Sequence, residues 1–150
     1  DMNGLIVIDV QKSYMTKYET DLLGRMNRQI DIAKKNQYDI VYIKNTKMFR
    51  RGAVTDEFAD ELNIVSDNVF YKEKSDAFSS EQLISYLNSR NISTVELIGV
   101  DGNSCIKASA KGAVKNDFKV SIALNCAGIT NSELFDKTKE QLKKIGVRFI

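Results

Sequence analysis

The stretch VELIGVDGNSCIKASAKGA, residues 95–113, decides how the rest of the chain is read. It opens with a β-rich apolar run, Val95 to Val100, crosses the polar turn Asp101-Gly102-Asn103-Ser104, and continues into an alanine-rich helical stretch that starts at Cys105. A thiol in the first turn of a helix lies beside unpaired backbone N–H groups and the positive end of the helix dipole, which favour the thiolate. Two more charged residues close similar runs: Asp9 after LIVI, and Lys72 after NVFY. If these strands are parallel neighbours, all three residues reach the same edge of one sheet, which is where open α/β folds build their sites.

The chain is 150 residues long, enough for one domain with a substantial core, and the expectation is a single domain over residues 1–150. With 43% hydrophobic and 28% charged residues, the composition is that of a folded globular chain and not of a disordered one. A net charge of +2 does not call for nucleic acid or an anionic membrane as partner. No apolar run approaches the roughly 20 residues of a membrane span. The beginning, DMNGLIVIDV, lacks a basic segment and a cleavage site and reads as a strand. Cys105 and Cys126 form no CxxC pair, and two cysteines without a secretion signal fit a reducing cytoplasm. The chain has no histidine, which removes Cys-His and Ser-His catalysis and every histidine-containing metal site. No metal and no cofactor are expected.

Strand-like runs recur at Leu5–Asp9, Ile40–Lys44, Asn68–Tyr71, Val95–Gly99, Lys119–Leu124 and Val147–Ile150. Between most of them lie helical periods, such as Leu22, Leu23, Met26, Ile30 and Ala33, or Leu83, Ile84 and Leu87. Ser79 to Gln82 and Thr130 to Glu133 fit capping boxes, and Gly146 suits a helix stop. The alternation predicts a parallel sheet with helices on both faces. The stretch 45–67 carries only a weak helix, about Thr55 to Leu62. Its basic residues Lys47, Arg50 and Arg51 could hold a substrate carboxylate, although a solvated loop face is the commoner use of such charges.

Taken singly, each site residue has an ordinary reading. Asp9 could cap a loop, Lys72 could be solvated like its neighbour Lys74, and Cys105 could be an inert thiol, the role that Cys126 fits better. Together they resemble the isochorismatase-like cysteine hydrolases, the superfamily of nicotinamidases and N-carbamoylsarcosine amidases. LIVIDVQKSYM is similar to the family's first-strand segment, hydrophobics followed by Asp-x-Gln-x-Asp-Phe, with Ser13 for the second Asp and Tyr14 for the Phe. VFYKEKSDAF resembles the Lys-x-x-x-Ser-Ala-Phe segment, and Phe78 six residues on selects Lys72 over Lys74. ELIGVDGNSCIKASAKGAVKNDFKV resembles the Gly-Val-Ala-Thr-x-x-Cys-Val segment, with Asp101-Gly102 replacing the small-residue and Thr pair.

The resemblance implies a three-layer α/β/α sandwich, a six-stranded, mainly parallel sheet in the order 3-2-1-4-5-6, and a cis peptide between Val100 and Asp101. It implies Asp9, Lys72 and Cys105 as a catalytic triad, Gln11 and Tyr14 in the substrate pocket, and the backbone N–H groups of Asp101 and Cys105 as an oxyanion hole. The expected reaction is C–N bond hydrolysis of a small amide or carbamoyl compound through a thioester, in a homo-oligomer. Nicotinamidases hold a metal with histidines, so nicotinamide is a disfavoured substrate. Two alternatives stay open: a vinyl-ether hydrolase using Asp9 and Lys72 alone, and a non-catalytic binding protein with the same fold.

Overall fold

In a computed structural model that describes residues 2–46 and 57–150, six strands form one parallel sheet. They are β1 (Met2–Ile8), β2 (Asp39–Asn45), β3 (Val69–Lys72), β4 (Ile92–Val100), β5 (Lys119–Gly128) and β6 (Arg148–Phe149), in the order β3-β2-β1-β4-β5-β6. Five α-helices connect them among the described residues: α1 (Lys12–Met15), α2 (Leu22–Lys35), α3 (Glu81–Ser89), α4 (Cys105–Lys115) and α5 (Ser132–Lys144). The central strand β1 is buried from Gly4 to Ile8, and its uninterrupted apolar run is the signature of a strand covered on both faces. Alternate residues divide the core. Ile6, Ile8, Val95 and Leu97 pack against α3, α4 and α5, whereas Leu5, Val7, Ile98 and Val100 face α2. Among the described residues no helix is long and apolar enough to cross a membrane.

Several local expectations are corrected. The capping residues sit one position later than predicted: Ser80 Oγ accepts from the Leu83 N–H and Asn131 Oδ1 from the Leu134 N–H. Ser79 instead donates its hydroxyl to the Asp76 carbonyl, and Thr130 is committed to the Asp101 carboxylate. The weak helix predicted over 55–62 is absent from its described part, residues 57–62. There Phe58 bridges Gln11, and Ala59 donates its N–H to the Val10 carbonyl, so backbone pairing with the loop after β1 replaces helical bonds. Strand β5 runs past Leu124 to Gly128, because a register shift between Leu97 and Gly99 lets Ala123 to Cys126 bulge before pairing resumes at Ala127. Gly146, with φ 100°, ends α5 as expected.

The centre of the sheet tolerates no side chain at Gly99. Its φ is 125°, and a Cβ there would stand 2.0 Å from the Ile8 carbonyl oxygen, the last residue before Asp9. Gly99→Ala should therefore lower unfolding stability by more than about 3 kcal/mol in urea titrations, because neither backbone can yield without moving both strand ends.

Candidate active site

Each of the three residues stands at a strand's C-terminal end for a local reason. Asp9 follows β1 with φ 57°, a left-handed turn of the chain that its N–H bond to the Ile43 carbonyl holds in place. Lys72 is the last residue of β3 and pairs in register with Asn45 of β2. Its side chain thus crosses the end of β2 to reach the end of β1. Cys105 opens α4 immediately after the turn that leaves β4.

The side chains meet. The Lys72 ammonium lies 3.0 Å from Asp9 Oδ2 and donates to Cys105 Sγ at 3.3 Å and to the Lys74 carbonyl at 3.1 Å. An ammonium has three N–H donors, and here each has an acceptor. The side chains of Lys72 and Asp9 are 0% and 3% exposed, so the ion pair is out of water. Lys74 is exposed and contributes only its backbone carbonyl. Asp9 Oδ1 is buried and has no hydrogen-bond partner among the described residues, so this carboxylate oxygen keeps room for a proton. Burial pushes the Asp9 carboxyl above the usual range, against the pull of Lys72, Cys105 and Asn45.

Burial and a neighbouring charge work against the thiolate that the helix start favours. Burial first, and then the charge of Asp9, push the Cys105 thiol up, and Lys72 offsets only part of this. Cys126 is buried and pushed up to about 11, chiefly by burial, in keeping with an inert thiol.

An open cavity of about 250 Å³ adjoins this cluster, lined by Asp9, Cys105 and Asp101 together with Tyr14, Tyr18 and Asn45, among others. Tyr14 lines this cavity. Gln11 does not. It is fully buried and clamps Asn45, donating to its carbonyl at 3.1 Å and accepting from its N–H at 2.7 Å, which ties the end of β1 to the end of β2. Tyr18 and Asn45 were not singled out from the sequence, because neither falls in a motif or an apolar period. The peptide between Val100 and Asp101 is cis, and the N–H groups of Asp101 and Cys105 donate to no other described residue. Lys47, Arg50 and Arg51 lie outside the described residues.

A parallel α/β/α sandwich with an acid, an ammonium and a thiol joined at the carboxyl edge of its strands defines a small class of proteins. The chain belongs to the isochorismatase family, whose domain model matches residues 3–150. Its fold is shared by pyrazinamidase of Pyrococcus horikoshii in complex with zinc, at 18% identity and a TM-score of 0.85, over 100% of this chain and 99% of that one. It is shared equally by N-carbamoylsarcosine amidase from Thermoplasma acidophilum (17% identity, TM-score 0.82, 99% of this chain and 95% of that one). Nicotinamidase from Bacillus subtilis is a third (18% identity, TM-score 0.81, 99% of both chains). No curated protein is similar enough in sequence to count as a relative. This chain has no histidine, and among the described residues no group of three or more Cys, Asp or Glu is placed to hold a metal.

The geometry fixes the signs of three substitutions. The pH midpoint for iodoacetamide alkylation of Cys105 should fall in Asp9→Asn, which removes the carboxylate charge, and rise in Lys72→Met, which removes the ammonium but keeps the stem. Lys74→Ala should leave it in place.

Proposed function

We propose that the protein is a cysteine hydrolase that cleaves the C–N bond of a small amide or carbamoyl compound. One observation carries this reading: a single buried ammonium is bonded at once to the carboxylate of Asp9 and the sulfur of Cys105, and those two residues line a cavity. A cavity of about 250 Å³ has room for a compound of only modest size, on the order of eight waters' share of volume. The amidase relationships of the fold neighbours point to the same bond.

Asp9 is the base. Between ordinary Asp and Cys values the proton transfer is uphill by roughly 4–5 pH units, about 6 kcal/mol. A raised Asp9 narrows that gap and a raised Cys105 widens it, so a free thiolate is a poor resting state and the proton leaves sulfur as the sulfur attacks. Lys72 balances the charge that develops on sulfur. The substrate carbonyl becomes a tetrahedral oxyanion received by the N–H groups of Asp101 and Cys105, each typically worth about 3–4 kcal/mol in such sites. Collapse breaks the C–N bond, and the departing nitrogen takes the proton held by Asp9. Water then attacks the thioester while Asp9 accepts its proton, and the proton returns to sulfur as the acid product leaves. Asp9 thus cycles between base and acid without net change.

Ammonia release from a panel of small amides and carbamoyl compounds tests the reading. Cys105→Ala should abolish release with an unfolding midpoint close to that of the unsubstituted protein, and turnover retained in this variant would overturn the covalent route. The pH profile has a defined sign as well. Because Asp9 must be ionised to accept the proton, kcat/KM should fall with decreasing pH, with a midpoint above the ordinary Asp value of about 3.9. An acid limb at or below that value would separate Asp9 from the rate.

A further inference from the structure

Asp101 puts a carboxylate on the same residue whose N–H is offered to the oxyanion, and this is the chain's departure from the resembling segment beside the nucleophile. Like charges this close repel, so an untethered carboxylate would oppose the intermediate that the turn has to receive. The structure ties it down. Asp101 Oδ2 accepts from the Tyr18 phenol at 2.9 Å, the Thr130 N–H at 3.1 Å and the Thr130 hydroxyl at 3.2 Å, while Oδ1 accepts from the Asn103 N–H at 2.9 Å. Two of these four donors belong to Thr130, just beyond β5, and one lies within the turn itself. The fourth comes from Tyr18, between α1 and α2, and Tyr18 also borders the cavity. Its ring packs on Gly128, where a Cβ would meet ring carbons at 2.8 Å, and the Gly128 carbonyl accepts from the Gly102 N–H at 2.8 Å. A Cβ on Gly102 would meet Ile129 Cδ1 at 2.2 Å and Phe135 Cε1 at 2.8 Å, so the turn also packs against these two side chains.

We propose that Tyr18 is a positioning residue for the oxyanion turn: with Thr130 it holds the Asp101 carboxylate in the loop after β5 and draws off its charge, so that the Asp101 N–H serves the oxyanion. The phenol suits this use. Burial, and then its bond to Asp101, push its pKa far up, so it remains an O–H donor across the neutral range. The inference rests on the amide-hydrolase reading and adds to it a residue outside the acid, base and nucleophile.

Two reactions of the same sulfur separate this role from a structural one. Acylation of Cys105 by p-nitrophenyl acetate, which releases p-nitrophenolate, passes through a tetrahedral oxyanion. Alkylation by iodoacetamide is displacement at a saturated carbon and forms none. Tyr18→Phe should slow acylation about 10- to 100-fold and leave alkylation within about twofold. In an Asp101→Ala background, where no carboxylate needs holding, adding Tyr18→Phe should change acylation by less than about twofold. Acylation of Tyr18→Phe at the rate of the unsubstituted protein would overturn the proposal, as would an equal loss in both backgrounds, which would put the phenol on the substrate itself. Failure of the unsubstituted protein to acylate at Cys105 would instead overturn the hydrolase reading, and this inference with it.

Discussion

The bond from the Lys72 ammonium to Asp9 on one side and Cys105 on the other is the constraint around which the carboxyl edge of the sheet is arranged. Removing two charges from water costs several kcal/mol per ion, and their attraction repays this only where geometry is good and the remaining donors are satisfied. Lys72 meets that condition through its third bond, to the Lys74 carbonyl. Asp9 does not, since Oδ1 is left without a partner. A pair built for stability would close that valence. Leaving it open on the acid that faces a thiol fits proton transfer better than support of the fold.

The sheet order makes the arrangement possible. With β1 between β2 and β4, Asp9 and the turn leading to Cys105 are adjacent, and only Lys72 must reach past an intervening strand. It does so over Asn45, whose backbone is fixed from the other side by the buried Gln11. Gly99 lets β4 approach Ile8 at a distance that no other residue would permit. The left-handed turn at Asp9 then directs its carboxylate to the end of β3. Rigid strands set the spacing, and short turns set the direction of each group.

Much of this was legible in the residues. Apolar runs closed by Asp9, Lys72 and a polar turn before Cys105 gave the strands and their common edge, and the spacing to Phe78 separated Lys72 from Lys74. What escaped depends on contacts distant in sequence. Tyr18 meets Asp101 across 83 positions, and no local pattern marks a phenol that bonds so far away. Gln11 belongs to a recognised segment, yet its burial against Asn45 is set by strand pairing. The capping positions slipped by one because the Ser79 hydroxyl bonds back to the Asp76 carbonyl in its own turn, and that of Thr130 reaches the distant Asp101 carboxylate. A helix start and a lysine, which favour a thiolate, are visible in sequence, but the burial that pushes the Cys105 thiol up is not.

The covalent role of Cys105 is the central claim, and acid quenching within the first turnover of a cleaved amide or carbamoyl compound, followed by peptide mass mapping, tests it most directly. The account predicts an acyl adduct on the peptide that contains Cys105, removable by hydroxylamine as a thioester is, and none on Cys126. Substrate cleavage at full rate with Cys105 unmodified at every quench time, and with no hydroxamate formed when hydroxylamine is present, would contradict it.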